Sequence, residues 1–217
     1  MNIGKAFTFA FEDKDWLKKI GIAGLVMLIP LIGQITVMGW AIEVTRRVIN
    51  RETETLPDWS AFGDYLVKGL KLFVISLVYA LPIILLSLCV NLPLSFFQDS
   101  GDQATITTIM AISICINCVV AVFAFALAFV LPAAFGRFAA TDELGAAFRF
   151  KEVFALVRAA PGAYLLALVG ALAASVVAIL GLFLCCIGVF FTLAWANVIQ
   201  SHLWGQAYNE ATGNTGM

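Results

Sequence analysis

Charge is what this chain has least of. Asp, Glu, Lys and Arg make up 12% of its 217 residues, against 62% hydrophobic residues. Four stretches, 20–42, 72–98, 103–136 and 159–209, hold no charged side chain at all, and they run for 23, 27, 34 and 51 residues. A bilayer-spanning helix needs about 20 apolar residues. A charge at its centre costs about 2.5–3.5 kcal/mol even on lenient insertion scales. With a mean hydropathy of +0.97, such a chain exceeds what a single soluble core could hide. No carboxylate or base lies deep in any stretch, which argues against a proton pump or voltage sensor.

Other shortages narrow the function further. There is one histidine, His202, which excludes bis-histidine haem ligation and a typical zinc site. Its neighbours Gln200 and Gln206 would let it bind a headgroup or small solute, but a satisfied interfacial histidine is the simpler expectation. The five cysteines all lie in or at the edge of apolar stretches, where a disulfide framework does not belong. Cys115 and Cys118 have metal-ligand spacing, yet only Cys185 and Cys186 could complete a site, and no metal or other cofactor is expected. A net charge of −1 offers nothing to nucleic acid. No nucleophile–base–acid set and no glycine-rich phosphate loop is visible, so enzymatic activity is not expected. Residues 1–19 carry acids and do not read as a signal peptide.

The charges that are present are sorted. All 13 Lys and Arg fall in segments 1–19, 43–71 and 137–158, and cytoplasmic loops are enriched in these residues. The segment 98–104 has Asp99 and Asp102 but no base, so it is expected outside. With 1–19 and 43–71 on the same side, residues 16–50 are expected to turn back on themselves as a full or re-entrant hairpin, the alternative being one kinked span. Pro30-Leu31-Ile32-Gly33 is the place to do so, since proline removes a helix donor and glycine permits reversal. Crossings at about 70–96 and 105–134 follow, with kinks expected from Pro82, Pro93 and Pro132. The last stretch makes two crossings around a turn near Cys185-Cys186-Ile187-Gly188. The expected architecture is therefore an all-α polytopic membrane domain over 1–217, with six helical membrane segments in three hairpins. The chain is expected in the cell membrane, with both termini cytoplasmic.

Amphipathic interface helices are expected near 2–12 and over 141–158, the second capped by Thr141. Trp16, Trp59, Tyr164, Trp204 and Tyr208 sit where interface anchors belong. Gly170, Ala174, Ala178 and Gly181 make a small-residue packing face, with Gly21 and Gly24 a second candidate. An internal repeat pairs 3–50 with 144–205. Ile3-Gly4-Lys5-Ala6-Phe7-Thr8-Phe9 matches Leu144-Gly145-Ala146-Ala147-Phe148-Arg149-Phe150, and Trp40-Ala41 matches Trp195-Ala196.

Two sets of candidate site residues follow. The segment 43–59 sets Arg46, Arg47 and Arg51 beside Glu43, Glu52, Glu54 and Asp58, and closes on the stiff turn Leu56-Pro57-Asp58-Trp59. Arg46 and Arg47 could hold lipid phosphate. Glu43, Arg46, Arg47, Asp58, Trp59 and His202 are thus candidates for binding lipid or a partner. Gln34, Asn91, Asn117 and Asn197 are polar side chains at membrane depth. They either bond between helices or line a polar cavity.

The ordered series Met38-Gly39-Trp40, Arg46-Arg47-Val48, Leu56-Pro57-Asp58-Trp59, Gly69-Leu70-Lys71-Leu72 and Tyr79-Ala80-Leu81-Pro82 resembles the domain of unknown function 4013 family of prokaryotic multi-spanning membrane proteins. Ala146-Ala147-Phe148-Arg149-Phe150 and His202-Leu203-Trp204-Gly205-Gln206-Ala207-Tyr208 are similar to that family too. The resemblance implies a membrane architecture and no established activity. The expected function is a non-catalytic scaffold, or a protein associated with membrane lipids or other membrane proteins. The competing expectation is a transporter or accessory permease subunit with a site near the helix breaks.

Overall fold

The computed structural model describes residues 1–53, 55–97 and 103–213, with the side chains of 90, 93–97, 105 and 184–186 left aside. Among the described residues every regular element is helical. In order they are α1 (Ile3–Thr8), α2 (Trp16–Met27), α3 (Ile32–Asn50), α4 (Phe62–Phe97), α5 (Gln103–Thr141), α6 (Leu144–Ala147), α7 (Phe150–Ala159), α8 (Pro161–Leu180) and α9 (Cys185–Ala211). Among the described residues, three helical stretches are long and apolar enough to cross a membrane: Trp59–Cys89, Ile106–Thr141 and Pro161–Phe183. The chain forms two compact units, Met1–Ile75 with Phe129–Met217, and Ser76–Ala128.

The first unit begins with the expected reversal. α2 ends at Met27, and α3 starts at Ile32 after Leu31, whose φ of 62° is left-handed. Gly33 follows because a Cβ there would sit 1.8 Å from the carbonyl oxygen of Val26. The far ends of the two arms return to one point. Lys19, near the start of α2, and Arg47, near the end of α3, both donate to the carbonyl of Leu56, at 2.8 and 3.2 Å. At 12 and 19 residues the arms span about 18 and 28 Å, short against a core of about 30 Å.

α3 meets the first turns of α4 backbone to backbone. A Cβ on Gly39 would lie 1.8 Å from the Tyr65 carbonyl oxygen, and one on Gly69 would lie 1.8 Å from that of Ile35. Each helix thus offers a glycine and, four residues earlier, the carbonyl its partner's glycine approaches. α9 supplies the other wall. Gly205 abuts Val48, Gly170 of α8 abuts Leu203, and Thr45 Oγ1 donates to the Ser201 carbonyl at 3.0 Å. Between them lies a core built around Trp40, Val37, Val44, Leu56, Ala194 and Val198.

Several expectations are corrected. The break before α9 is the tight turn Gly181–Leu184, so Cys185 and Cys186 open α9 and do not form the turn. The Thr192 side chain packs across the break there: a Cβ on Gly181 would lie 2.0 Å from its Oγ1, which is 3.1 Å from the carbonyls of both Ala178 and Val189. The single interface helix over 141–158 is two, α6 and α7, parted at Phe148 and Arg149. Thr141 ends α5, and its hydroxyl accepts from the Glu143 amide. Tyr164 is fully buried, not an interface anchor. Gly170, Ala174 and Gly181 are buried as a packing face should be, and Gly24 packs on Phe191, but Gly21 faces open space. α5 continues through Pro132, and α4 through Pro82. The expected outward turn at Asp99 and Asp102 lies outside the described residues.

In the second unit, the helical segments 76–97 and 103–128 expose large apolar side chains along much of their length, among them Leu81, Leu85, Leu88, Val122, Phe123 and Phe125. Such a surface suits hydrocarbon and not water.

Candidate functional site

Several ionisable side chains of the first unit are tied together near the end of α3 that carries Glu43, Arg46 and Arg47. The best-tied group is a latch on the loop after α3. Asp13 Oδ2 accepts from Lys19 Nζ at 2.9 Å, from the Leu56 amide at 3.2 Å and from Thr55 Oγ1 at 3.4 Å. Trp40 Nε1 donates to the Pro57 carbonyl at 2.9 Å, and Trp59 Nε1 to the Lys19 carbonyl at 2.9 Å. The Trp40 and Trp59 rings stack at 5.3 Å. Asp58 adds an ion pair to Lys19 at 3.3 Å, and its carbonyl accepts from the Tyr65 hydroxyl at 2.6 Å.

The titration of this pair follows from its surroundings. Burial pushes the Asp13 carboxyl up. The hydrogen bonds from Lys19 and from the Asp15 and Leu56 amides outweigh it and hold the group below its ordinary 3.8. Burial likewise pushes Lys19 down, and bonding to Asp13 and Asp58 overcomes this and raises it above 10.5. Asp58 and Trp59, two of the candidate binding residues, are therefore parts of a structural clasp.

Arg46 and Arg47 do not act as a pair. Successive helix positions point about 100° apart, and the two guanidinium groups enter different surroundings. Arg46 Nε pairs with Glu43 Oε1 at 3.0 Å, and Lys68 Nζ bonds the other oxygen of this carboxylate. Glu43 is only 7% exposed, so its charge is held between two cations. Nearby, Lys71 pairs with Asp142 at 3.4 Å and Arg137 pairs with Glu152. Arg47 instead reaches the Leu56 carbonyl and, at 3.7 Å, Glu52. Glu54 lies outside the described residues.

Arg47 also borders a polar cleft of about 340 Å³ whose lining includes Lys5, Arg51, Glu52, His202, Gln206 and Asn209. Its walls are placed by contacts far apart in sequence. The side chain of Asn2 caps α1 by accepting from the Lys5 amide at 3.0 Å, and the Asn2 amide donates to Gln206 Oε1 at 2.8 Å. Asn209 Nδ2 donates to the Val48 carbonyl at 3.0 Å. His202 is 3% exposed. Phe9 covers its ring at 4.1 Å, and Gln206 Nε2 donates to its Nε2. Nδ1 has no hydrogen-bond partner. The expected satisfied histidine is thus satisfied on one side only. Gln206 already stands near His202 in the sequence, but Lys5 and Asn209 are not apparent there. The signal for Asn209 is its spacing from His202 and Gln206, a polar stripe on one face of an otherwise apolar helix.

A second hollow, about 630 Å³, is apolar and runs between α2 and α9. Phe11, Trp16, Leu17, Ile20, Phe191 and Trp195 line it.

The amides expected at membrane depth find partners close by. Asn91 donates to Ser87, Asn117 to Ser113 and Asn197 to Leu193, each to a carbonyl four residues back at 2.7–2.9 Å. Gln34 is exposed. Asn91 and Asn117 belong to the second unit, and Gln34 and Asn197 to the first. Cys115 and Cys118 are exposed free thiols. Among the described residues no group of three or more His, Cys, Asp or Glu is placed to hold a metal ion.

No curated protein and no solved structure matches the chain. The model of one family, described as "Protein of unknown function (DUF4013)", matches residues 22–203, and with most of its length covered in this way the chain belongs to that family.

Proposed function

We propose that this is a multi-pass protein of the cell membrane that works by holding lipid or a membrane partner at one charged pole, with no chemistry of its own. In this reading the six membrane segments form three hairpins, and both chain ends lie on the cytoplasmic side. The observation that carries it is the convergence of the basic segments. Residues of 1–19 bond the loop after α3 through Lys19 and Asp13, and Asn2 bonds the end of α9 through Gln206. Lys71 of the segment 43–71 bonds Asp142 of the segment 137–158. Segments joined by such bonds share one side of a bilayer, and by their Lys and Arg content that side is the cytoplasmic one. The apolar hollow between α2 and α9 has the chemistry of an acyl chain, which supports a lipid association.

The test has two parts. Reporters at residues 2 and 55 should read out on the same side of the membrane. Protein extracted in mild detergent should carry defined lipid or a membrane partner, reduced in Arg46→Ala/Arg47→Ala. Opposite readouts would overturn the topology, and a protein that retains neither lipid nor partner would overturn the binding role.

The competing transporter reading draws on one observation. Residues 3–50 and 144–205 share an order of short helical pieces, helical arm, break and second arm. The amides do not add to it: Asn91, Asn117 and Asn197 each donate to a carbonyl of their own helix, and Asn91 and Asn117 belong to a different unit from Gln34 and Asn197.

A further inference from the structure

We propose that the cleft between α1, the end of α3 and the end of α9 is a binding site for a phosphate-ester anion. Three lines of chemistry meet there. The first is charge. Lys5, Arg47 and Arg51 border the cleft against one carboxylate among its lining residues, Glu52, an excess of two positive charges. Arginine and lysine together are what phosphate recognition uses, Arg as a planar fork and Lys as a point charge.

The second is an unfilled donor. The Asn2 amide donates to Gln206 Oε1, so the Gln206 amide is oriented with its Nε2 toward the histidine. An N–H donor facing His202 Nε2 makes that nitrogen the acceptor, and the proton of the neutral ring therefore sits on Nδ1. Nδ1–H is then a buried donor with no acceptor, in a side chain that helps line the cleft. Leaving such a group unmade is unfavourable, and an anionic oxygen answers it.

The third is an unfilled acceptor. Asn209 gives its Nδ2 to the Val48 carbonyl, which leaves its buried Oδ1 without a donor. A phosphate monoester carrying a proton, or a headgroup hydroxyl beside the phosphate, supplies one. A halide or a carboxylate would meet the first two demands and not this one. The volume, about 340 Å³, admits a headgroup and not a whole lipid.

The inference rests on the charged pole facing water or headgroups, but it fails separately from the broader binding role. The full chain in zwitterionic detergent would be titrated with inorganic phosphate, with dihexanoyl phosphatidic acid and with dihexanoyl phosphatidylcholine, and binding read from the rise in melting temperature. Lys5→Ala/Arg51→Ala removes two exposed cations from the cleft, so the fold should survive. Lys14→Ala/Lys18→Ala removes the same charge elsewhere. We expect phosphatidic acid to bind and phosphatidylcholine not to, with affinity falling about thirtyfold in the cleft variant and less than about threefold in the control. Inorganic phosphate binding with the same variant pattern would assign the ligand to free phosphate as well, and phosphatidic acid alone would assign it to headgroups. No anion-dependent stabilisation, or equal losses in both double variants, would overturn the site. Lipid that still co-purifies in that event would leave the broader reading standing.

Discussion

The backbone crossing of α3 on α4 makes a demanding prediction at Gly39. An ideal Cβ there falls 1.8 Å from the Tyr65 carbonyl oxygen and 2.6 Å from the Gly69 nitrogen, where ordinary contact begins at 3.4 Å. Both obstacles are backbone and cannot rotate away. Gly39→Ala therefore forces the helices apart by about 1.5 Å, a gap at which dispersion contacts across a crossing are largely lost. Overpacking of this kind costs about 1–3 kcal/mol. The Cα–H···O contacts of the crossing add about 1 kcal/mol, and the better helix propensity of alanine returns about 1 kcal/mol. The net expectation is about 1–3 kcal/mol, or ~2–12 °C in melting temperature for a chain of this size. Gly69→Ala should behave alike, since its Cβ meets the Ile35 carbonyl at 1.8 Å. Gly21→Ala is the control. Nothing lies within 4 Å of that position, and the change should be neutral or stabilising by up to about 1 kcal/mol. Melting of the detergent-solubilised protein, followed by tryptophan fluorescence, reads all three. If Gly39→Ala melts with the parent while Gly21→Ala melts early, the crossing geometry is wrong.

Three further predictions concern the latch and the turn. Asp13 is held below its ordinary pKa when folded, so its stabilisation is complete above about pH 4 and disappears as pH falls through the depressed value. The melting gap between the parent and Asp13→Asn, about 1.5–3 kcal/mol near neutrality, should close on acidification, and a constant gap would dismiss the carboxylate's role. Trp40→Phe keeps a ring against Trp59 but leaves the Pro57 carbonyl without its donor, and should lower stability by about 1–3 kcal/mol. Faster proteolysis of the segment 51–59 would report the loosened loop. Gly33→Ala drives a Cβ into the Val26 carbonyl and should destabilise at least as much as Gly39→Ala, so normal melting would rule out the tight reversal at that residue.

The reversal at 28–31 was legible because two independent signals agreed there, Pro30 beside Gly33 and the sorting of Lys and Arg. The later break was misplaced by a few residues because 181–188 is uniformly apolar and holds two glycines. What selects Gly181 is Thr192, whose hydroxyl oxygen would lie 2.0 Å from a Cβ at that position, a contact across the turn that composition does not reveal. Interface aromatics were over-read at Tyr164, since a tyrosine near a helix start looks the same whether it meets headgroups or a core. The charged segment 43–59 stood out in the sequence, but adjacency suggested a joint role for Arg46 and Arg47 that helical geometry divides. Lys5 could not be foreseen beside Arg47, because only the docking of α1 on α9 brings the two ends of the chain together.

The cleft takes one wall from α1 and another from α9, so the ribosome must deliver α9 before Lys5 and His202 can become neighbours. Until then α1 lacks the helix on which it settles. Whatever occupies that hollow is met only by chains in which α9 has been made and docked, so its occupancy would report that folding step.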